Sequence, residues 1–381
     1  MCKLCRVDNT SVLSSIITMK RLSYLAFCVT GLVFCACSKS KNDPTPPPPP
    51  PPATTVTLQY KNTLAIPTAR WQHASTVAGG KLYIGGGSTP AQTDDNTVDV
   101  LDFTSNTWSS RKIIARRDLK AVSANNTAVF AGGVIGAMSM SNIAEWFDGT
   151  TSNYKTILSA QHYLPGIAAF NGKVVVAGGY TTSSPTNAVD IFDAGTQTWG
   201  TAKLSVARAI IGSAVSGGKM YFAGGNTASG LSDAVDVYDL NNYTWSTLKL
   251  SQPRSGMAGA AGGNKIYFAG GTLGNDITDL VDIYDPGTQQ WTFAHLSLAR
   301  SNIASATVGR LLIFAGGKAG SVISDVIDIF DTQTNTWSAI RLNTLRSGFS
   351  LAVDGNNLYV TGGVDKQGNA YNNMEVYTLS N

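Results

Sequence analysis

Seven basic residues recur at a constant spacing of 46 positions along this chain. They are Arg70, Arg116, His162, Arg208, Arg254, Arg300 and Arg346. A guanidinium group or a protonated imidazole can pair with a carboxylate, donate to backbone carbonyls or bind an anionic ligand. A buried guanidinium needs partners, so one interpretation is that the series bonds carbonyls or acidic residues and holds neighbouring units together. The other interpretation is that the series faces a ligand, and the spacing permits both.

Groups that carry catalysis are scarce. The chain has three histidines, His73, His162 and His295, and no two of them lie close in sequence or share a repeat. It has no HExxH zinc motif, no G-x-S-x-G nucleophile motif and no phosphate-cradling glycine loop before a helix. We therefore predict no metal site, no cofactor and no catalytic residues, and we expect the protein not to be an enzyme.

The elements that position these residues are small β-units. Glycine pairs follow the same 46-residue period, at Gly86-Gly87, Gly132-Gly133, Gly178-Gly179, Gly224-Gly225, Gly270-Gly271, Gly316-Gly317 and Gly362-Gly363. In the fourth copy the apolar run Lys219–Ala223 ends at such a pair, and the alternating run Ala234–Tyr238 follows a polar loop. Each full copy has four such runs and no helical pattern. The repeats predict an all-β fold, a seven-bladed β-propeller with one blade per repeat.

Two further features of the repeats resemble the kelch family. An acidic residue followed by an aromatic residue stands in the runs VDIFD (Val189–Asp193), VDVYD (Val235–Asp239), VDIYD (Val281–Asp285) and IDIFD (Ile327–Asp331). A tryptophan follows at Trp108, Trp199, Trp245, Trp291 and Trp337, with Tyr154 in its place in the second blade. The resemblance covers about residues 64–381 and implies a kelch propeller in which each tryptophan packs between adjacent blades.

The last repeat predicts how the ring closes. After Met374–Leu379 the seventh copy has no fourth strand and no tryptophan, whereas Thr54–Tyr60, upstream of the first copy, alternates like a strand. Tyr60 lies ten residues before Arg70, close to the Trp-to-Arg spacing elsewhere. We predict that Thr54–Tyr60 completes the seventh blade, so that residues 54–381 form a closed ring. The alternative is six blades and a half repeat with an unpaired edge.

The N-terminal region predicts export. Met19-Lys20-Arg21 followed by the apolar run Leu22–Ala36 is typical of a secretory signal peptide over residues 19–36. Phe34-Cys35-Ala36-Cys37 resembles the lipobox of bacterial lipoproteins, which implies cleavage before Cys37 and lipid attachment to its sulfur. The alternatives are a plain membrane anchor and a non-lipidated signal. Residues 1–18 precede this signal, so we interpret Met19 as the start of translation.

A tether follows the predicted lipid. Residues 37–53 include seven consecutive prolines at 46–52, which predict a stiff polyproline II spacer of about 20–25 Å. All five cysteines precede residue 38, so the propeller carries no disulfide. The formal charge of +4 includes a net +3 before residue 37, and no basic run follows that would favour nucleic acid. We expect a monomeric propeller, lipid-anchored in the cell envelope on the surface or periplasmic face of a Gram-negative outer membrane.

The kelch resemblance also implies a ligand site. In kelch domains that bind peptides, the ligand lies over one mouth of the central channel and meets residues at or just after the repeated arginine and just after the glycine pair. The first set is Arg70, Trp71, His73, Arg116, Asp118, His162, Arg208, Arg254, Arg300, Asn302 and Arg346. The second set is Ser88, Val134, Tyr180, Asn226, Thr272, Lys318 and Val364. A ligand is not symmetric, so the non-repeated residues are favoured: Trp71, His73, His162, Tyr163, Tyr180, Asn226 and Lys318.

Three functional hypotheses remain open. The first is a binding module that recognises a protein or a glycan at the channel mouth. The second, by resemblance to the kelch-type sialic acid mutarotase-epimerases, is a sugar-modifying enzyme, for which His73, His162, Asp118 and the arginines are the available acids and bases. The third is a structural component of an envelope complex. A deep polar mouth with a histidine and a carboxylate within reach favours the enzyme, and a broad shallow face favours a binder.

Overall fold

The computed structural model describes residues 56–150 and 153–380, in which every regular element is a β-strand. The predicted signal peptide (19–36), Cys37 with its tether (37–53) and residues 1–18 lie outside the described residues. No helix long and apolar enough to cross a membrane occurs in the described ranges.

The strands form seven antiparallel sheets of four strands each, as the repeats predict. The first described strand is β1 (Thr57–Ala65). Blade 1 consists of β2 (Ala74–Ala78), β3 (Lys81–Gly85), β4 (Thr97–Asp102) and β5 (Thr107–Lys112). Blade 2 consists of β6 (Lys120–Ala124), β7 (Thr127–Ala131), β10 (Ile143–Phe147) and β11 (Tyr154–Ile157). Between β7 and β10 the chain forms a short two-stranded ribbon, β8 (Val134–Ile135) and β9 (Ser139–Met140). Blade 3 consists of β12 (Gly166–Phe170), β13 (Lys173–Ala177), β14 (Ala188–Asp193) and β15 (Thr198–Lys203).

The remaining blades repeat this pattern. Blade 4 consists of β16 (Gly212–Ser216), β17 (Lys219–Ala223), β20 (Ala234–Asp239) and β21 (Thr244–Lys249), with the ribbon β18 (Asn226–Thr227) and β19 (Gly230–Leu231). Blade 5 consists of β22 (Ala258–Gly262), β23 (Lys265–Ala269), β26 (Leu280–Asp285) and β27 (Gln290–His295), with the ribbon β24 (Thr272–Leu273) and β25 (Asp276–Ile277). Blade 6 consists of β28 (Ala304–Val308), β29 (Leu311–Ala315), β32 (Val326–Asp331) and β33 (Thr336–Arg341), with the ribbon β30 (Lys318–Ala319) and β31 (Val322–Ile323). Blade 7 consists of β34 (Ser350–Asp354), β35 (Asn357–Thr361), β36 (Asn373–Ser380) and β1.

The hydrophobic core is divided among the junctions between blades. Each of seven apolar clusters joins residues of two consecutive blades, because both faces of every sheet are covered by a neighbouring sheet. At the junction of blades 5 and 6, for example, the rings of Tyr267 and Phe330 lie 5.3 Å apart. The half-buried Trp337 packs against the same cluster. The repeated tryptophan is therefore a packing residue at the edge of a blade junction.

The N-terminal strand closes the ring. In blade 7, β1 pairs antiparallel with β36, and Tyr60 stands opposite Tyr377 with ring centroids 5.8 Å apart. Leu58 on the same strand is only 3% exposed. The predicted closure is confirmed, although the strand runs past Tyr60 to Ala65 after an irregularity between Tyr60 and Asn62. Residues 54 and 55 lie outside the described part of the chain.

The glycine pairs end the second strand of each blade where the chain entering the next blade passes close by. A Cβ atom on Gly132 would lie 2.1 Å from the carbonyl oxygen of His162, which no side chain could tolerate. Gly132 and Gly133 also adopt φ angles of 68° and 96°, in the region that favours glycine. Close approach and backbone conformation together explain why the pair recurs in all seven blades.

Candidate binding site at the channel mouth

The repeated arginines form a buried layer of ion pairs beneath one mouth of the channel. Arg254, which is 0% exposed, donates to the carboxylate of Asp282, to Leu280 O at 3.2 Å and to Phe268 O at 3.1 Å. Five further arginines make the same kind of pair with an acidic residue on the third strand of the blade that they enter: Arg70–Asp99, Arg116–Glu145, Arg208–Asp236, Arg300–Asp328 and Arg346–Glu375. Each guanidinium thereby fastens the connecting chain to the following blade.

The backbone of the same residues fastens the preceding blade. The carbonyl oxygen of Arg208 accepts a hydrogen bond of 2.9 Å from the N–H of Gly179, and six of the seven repeats have this bond. The arginines are thus structural links between blades. Their assignment as ligand contacts is corrected for Arg70, Arg116, Arg208, Arg254, Arg300 and Arg346, because each is 0% exposed.

His162 takes the place of arginine at the junction of blades 2 and 3. Its side chain is 0% exposed, with Nδ1 2.6 Å from Gly178 O and Nε2 2.8 Å from the carboxylate of Asp190. The pKa of Asp190 is lowered, although its burial alone would raise it, because His162 and Ser159 donate hydrogen bonds to the carboxylate. His162 is therefore a shorter copy of the structural arginine, and its assignment as a ligand contact is also corrected.

A belt of left-handed residues lies above this layer and surrounds the channel mouth. One residue per blade has a φ angle between 52° and 66°: Gln72, Asp118, Leu164, Ile210, Gly256, Asn302 and Gly348. At five of the seven junctions, the backbone N–H of a belt residue donates a hydrogen bond to the backbone carbonyl of the belt residue in the preceding blade. The bond from Asp118 N–H to Gln72 O, for example, is 2.7 Å long. Ile210 is strained in this conformation. Residues as different as glycine and isoleucine share this conformation, so the geometry of the ring imposes it. The strain at Ile210 therefore does not by itself indicate function.

The belt encloses a cavity of about 580 Å³ at the mouth. Its wall is asymmetric. Blades 1 to 3 contribute Trp71, Asp118, Lys120 and Tyr163, whereas the opposite side contributes mostly small or apolar residues: Ile210, Ile211, Gly256, Met257, Ile303 and Ala304. One side of the mouth thus combines aromatic faces with a carboxylate and an amine, whereas the other side is mostly apolar and has Asn302 and Lys318 as its larger polar groups.

The structure brings only part of the predicted set together. Trp71, His73, Tyr163 and Lys318 line the cavity. Tyr180 lies beside it, with its ring 6.4 Å from that of Tyr163, and accepts a hydrogen bond of 3.1 Å from the Asn226 side chain. Tyr163, Tyr180 and Asn226 therefore form one continuous patch that runs from the cavity wall to blade 4.

His73 is unsuited to the acid–base role considered for it. The residue is 6% exposed, and its Nε2 lies 2.9 Å from Thr361 Oγ1. Burial, together with the positive charges of Arg70 and Arg346, lowers the pKa of His73 to about 3. The imidazole is consequently neutral at physiological pH, and it is part of the cavity wall.

Lys120 was missed by sequence reasoning. It is the first residue of the innermost strand of blade 2, where the other blades have Ala74, Gly166, Gly212, Ala258, Ala304 and Ser350. Comparison of these positions at the 46-residue spacing would have singled it out. Its side chain lines the cavity and is exposed to solvent at the mouth; the surrounding wall lowers the pKa of its ammonium group, while the nearby Asp118 raises it.

Asp118 is the acidic partner in the same wall. Gln72 Nε2 donates to its carboxylate at 3.3 Å. Burial raises the pKa of Asp118, and the charges of Lys120 and Arg117 partly oppose that rise. An amine with a lowered pKa and a carboxyl group with a raised pKa therefore face one cavity, an arrangement that is more common in functional sites than elsewhere.

Comparison with known protein families agrees with this architecture. A model described as the KLHDC2/KLHL20/DRC7 kelch-repeats domain matches residues 118–300 and 166–363, and together these ranges cover more than half of the chain. The chain belongs to the kelch-repeat family. A second model, the kelch motif, matches residues 69–111 of the kelch propeller, within and just before blade 1.

Solved structures support the kelch fold. A structure titled "Structure of YjhT" is 17% identical, with a TM-score of 0.57, and the match covers 73% of this chain and 99% of that chain. At this level of identity the similarity shows the fold alone. No curated protein was found to match the chain.

Proposed function

We propose that this kelch propeller is a binding module that recognises a protein segment or a glycan at the channel mouth. The observation that carries the proposal is the asymmetry of the cavity wall. The fold treats all seven blades alike, so it does not require Trp71, Asp118, Lys120 and Tyr163 to gather on one side. A ligand that contacts one side of the mouth explains this gathering.

The chemistry of the wall fits such a ligand. The rings of Trp71 and Tyr163 are half-buried, so each keeps part of its surface for stacking on an apolar or sugar face. Lys318 is exposed at the rim, and Asp118 and Lys120 supply one acceptor and one donor at the cavity wall. Pockets with apolar surface and a few polar groups are the usual form of binding sites.

The binding proposal is tested with purified residues 54–381, a glycan array and a pull-down from envelope extract, followed by affinity measurement on each purified candidate. We expect Trp71→Ala/Tyr163→Ala to weaken binding at least about tenfold, because hot-spot aromatic residues each contribute about 2 kcal/mol or more. The matched control is Tyr243→Ala/Phe293→Ala, which removes two aromatic rings, 64% and 56% exposed, that do not line the cavity. Equal losses in the two variants, or binding unaffected by the first, would contradict a site at this mouth.

A sugar-modifying enzyme is the second candidate, favoured by the opposed pKa shifts of Asp118 and Lys120 in one cavity. Proton transfer at a sugar needs an acid and a base on one wall. Sugars that bind would be followed by proton NMR for anomerisation or epimerisation. Turnover that Asp118→Asn abolishes would support the enzyme, and binding without any turnover would reject it.

We further propose that the propeller is held at the envelope by a lipid on Cys37, beyond the proline-rich tether. The proposal rests on the lipobox-like residues Phe34–Cys37 and the preceding apolar run. In a Gram-negative host, we expect radiolabelled palmitate to be incorporated into the wild-type protein and not into Cys37→Ser, with the label in the outer-membrane fraction. Label retained in Cys37→Ser, or found in neither protein, would contradict the lipid anchor.

A further inference from the structure

A network of buried hydrogen bonds joins blade 7 to blade 1. His73 Nε2 lies 2.9 Å from Thr361 Oγ1, and the Thr361 hydroxyl lies 3.3 Å from Ser75 Oγ. The hydroxyl and the backbone N–H of Ser75 donate to Ser350 Oγ at 2.9 and 3.0 Å. His73, Ser75 and Thr361 are each at most 6% exposed. These four residues are called the closure network below, because His73 and Ser75 belong to the blade 1 side of the junction and Ser350 and Thr361 to blade 7.

The members of the closure network depend on one another. Ser350 O can only accept and lies 3.2 Å from Thr361 Oγ1, so the single hydroxyl proton of Thr361 is donated there. Thr361 Oγ1 then accepts from His73 Nε2, and this bond fixes the proton of the neutral imidazole on Nε2. A blade that lacked one of these side chains would leave a buried polar partner without its hydrogen bond, which is costly.

Blades 7 and 1 depart from the repeat pattern on both sides of their shared junction. The positions equivalent to His73 in the other repeats carry Leu119, Pro165, Ile211, Met257, Ile303 and Phe349. The positions equivalent to Thr361 carry Gly85, Ala131, Ala177, Ala223, Ala269 and Ala315. The repeat therefore places two apolar residues or a glycine at each other junction, and the histidine and the threonine that bond to each other replace them at this one.

Hydroxyl groups at two other junctions do not distinguish one blade from another. Ser213 Oγ donates to Ile167 O at 2.6 Å between blades 3 and 4, and Ser305 Oγ donates to Gly259 O at 2.7 Å between blades 5 and 6. A backbone carbonyl is present in every blade, so a bond of this kind can form with any neighbour. The bond between His73 and Thr361 joins two side chains, and it requires one particular blade on each side.

We propose that the closure network is a conformational device that makes blade 7 pack against blade 1 and not against another blade. Six junctions lie between blades that follow one another in the chain, whereas the seventh joins the first blade to the last. Seven similar blades with apolar faces offer several wrong pairings at that step, within one chain or between two chains. Buried polar groups can specify one pairing without adding stability. This role does not depend on the ligand proposed above, so either proposal can fail alone.

Refolding experiments test the closure network. The purified propeller, residues 54–381, is unfolded in urea and refolded by dilution at several protein concentrations, and the native monomer is measured by size-exclusion chromatography. The test variant is His73→Leu/Ser75→Ala/Ser350→Ala/Thr361→Ala, which gives this junction the apolar character of the others. We expect its midpoint of urea unfolding to equal or exceed that of the wild type, since apolar replacement of a whole buried network is nearly neutral. We expect its yield of native monomer to fall at least about twofold, and further at higher protein concentration.

Two control variants separate pairing from stability. Ser213→Ala/Ser305→Ala removes the two hydroxyls that donate to backbone carbonyls, and should refold with the wild-type yield. Thr361→Ser keeps the hydroxyl of the network and should also refold with the wild-type yield. The proposal would be overturned by a wild-type yield in the fourfold variant, or by an equal loss in the Ser213/Ser305 variant. A fourfold variant that fails to fold, or that unfolds at a lower urea concentration, would also overturn it, because the network would then be an ordinary stabilising contact.

Discussion

Asp282→Ala is expected to destabilise the propeller by about 3–5 kcal/mol, since removing one partner of a buried ion pair leaves the other charge uncompensated. Asp282 and Arg254 are both 0% exposed. Burial already lowers the pKa of the Arg254 guanidinium, and the charge of Asp282 is what opposes this effect. Equilibrium unfolding in urea, followed by tryptophan fluorescence, measures the change in the free energy of unfolding.

Two controls make this result specific to burial. Lys249→Ala breaks the exposed ion pair with Asp233, in which the lysine side chain is 79% exposed, and should cost less than about 1 kcal/mol. Arg254→Met/Asp282→Ala removes both charges and should be less destabilising than Asp282→Ala alone. If Asp282→Ala cost no more than Lys249→Ala, the ion-pair layer would not hold the blades together.

Deletion of Thr57–Ala65 is expected to have an effect at least as large. The deletion removes the fourth strand of blade 7, exposes the edge of β36 and uncovers the apolar cluster that contains Leu58. Burial of Leu58 alone is worth about 1.5–3 kcal/mol, and eight paired residues of β1 are lost with it. We expect the free energy of unfolding to fall by at least about 4 kcal/mol. We also expect the variant to aggregate through the unpaired edge of β36.

The control for this deletion is a variant in which an exposed ribbon is shortened. Removal of Gly320-Ser321, at the tip of the β30–β31 ribbon, shortens an exposed ribbon without opening any four-stranded blade, and should change the free energy of unfolding by less than about 0.5 kcal/mol. Adding a synthetic peptide of residues 54–65 to the deletion variant should restore part of its thermal stability. A deletion variant that melts like the wild type would show that the ring does not depend on its closing strand.

Much of the architecture was predictable because its signals are periodic. The 46-residue spacing of the glycine pairs and of the basic series predicted seven blades, and the missing strand after Leu379 predicted closure by a segment near Tyr60. These inferences succeeded because each depends on what every blade needs alike. The end of β1 at Ala65 was not predicted, because the irregularity after Tyr60 leaves no signature in the alternation.

The site was less predictable, for a physical reason visible in the arginine series. The 46-residue spacing shows that seven residues occupy equivalent positions. It does not show whether their side chains face water or a carboxylate. The partner of Arg208 is Asp236, 28 residues later and on the third strand of the next blade, and only the packing of that blade brings the two together. Trp71 and Tyr163 were predicted as non-repeated residues and do line the cavity, whereas His162, predicted on the same ground, is buried.

The sequence by itself determined the number of blades, the kelch pattern and the strand that closes the ring, because these follow from local periodicity repeated along the chain. Only the tertiary structure decided which equivalent positions are buried links and which are open to the mouth. The reason is that burial and desolvation come from surrounding blades that are distant in sequence. Lys120 shows this clearly, because the sequence only marks it as different from its equivalents, and the assembled ring places it beside Asp118 in the lining of the cavity.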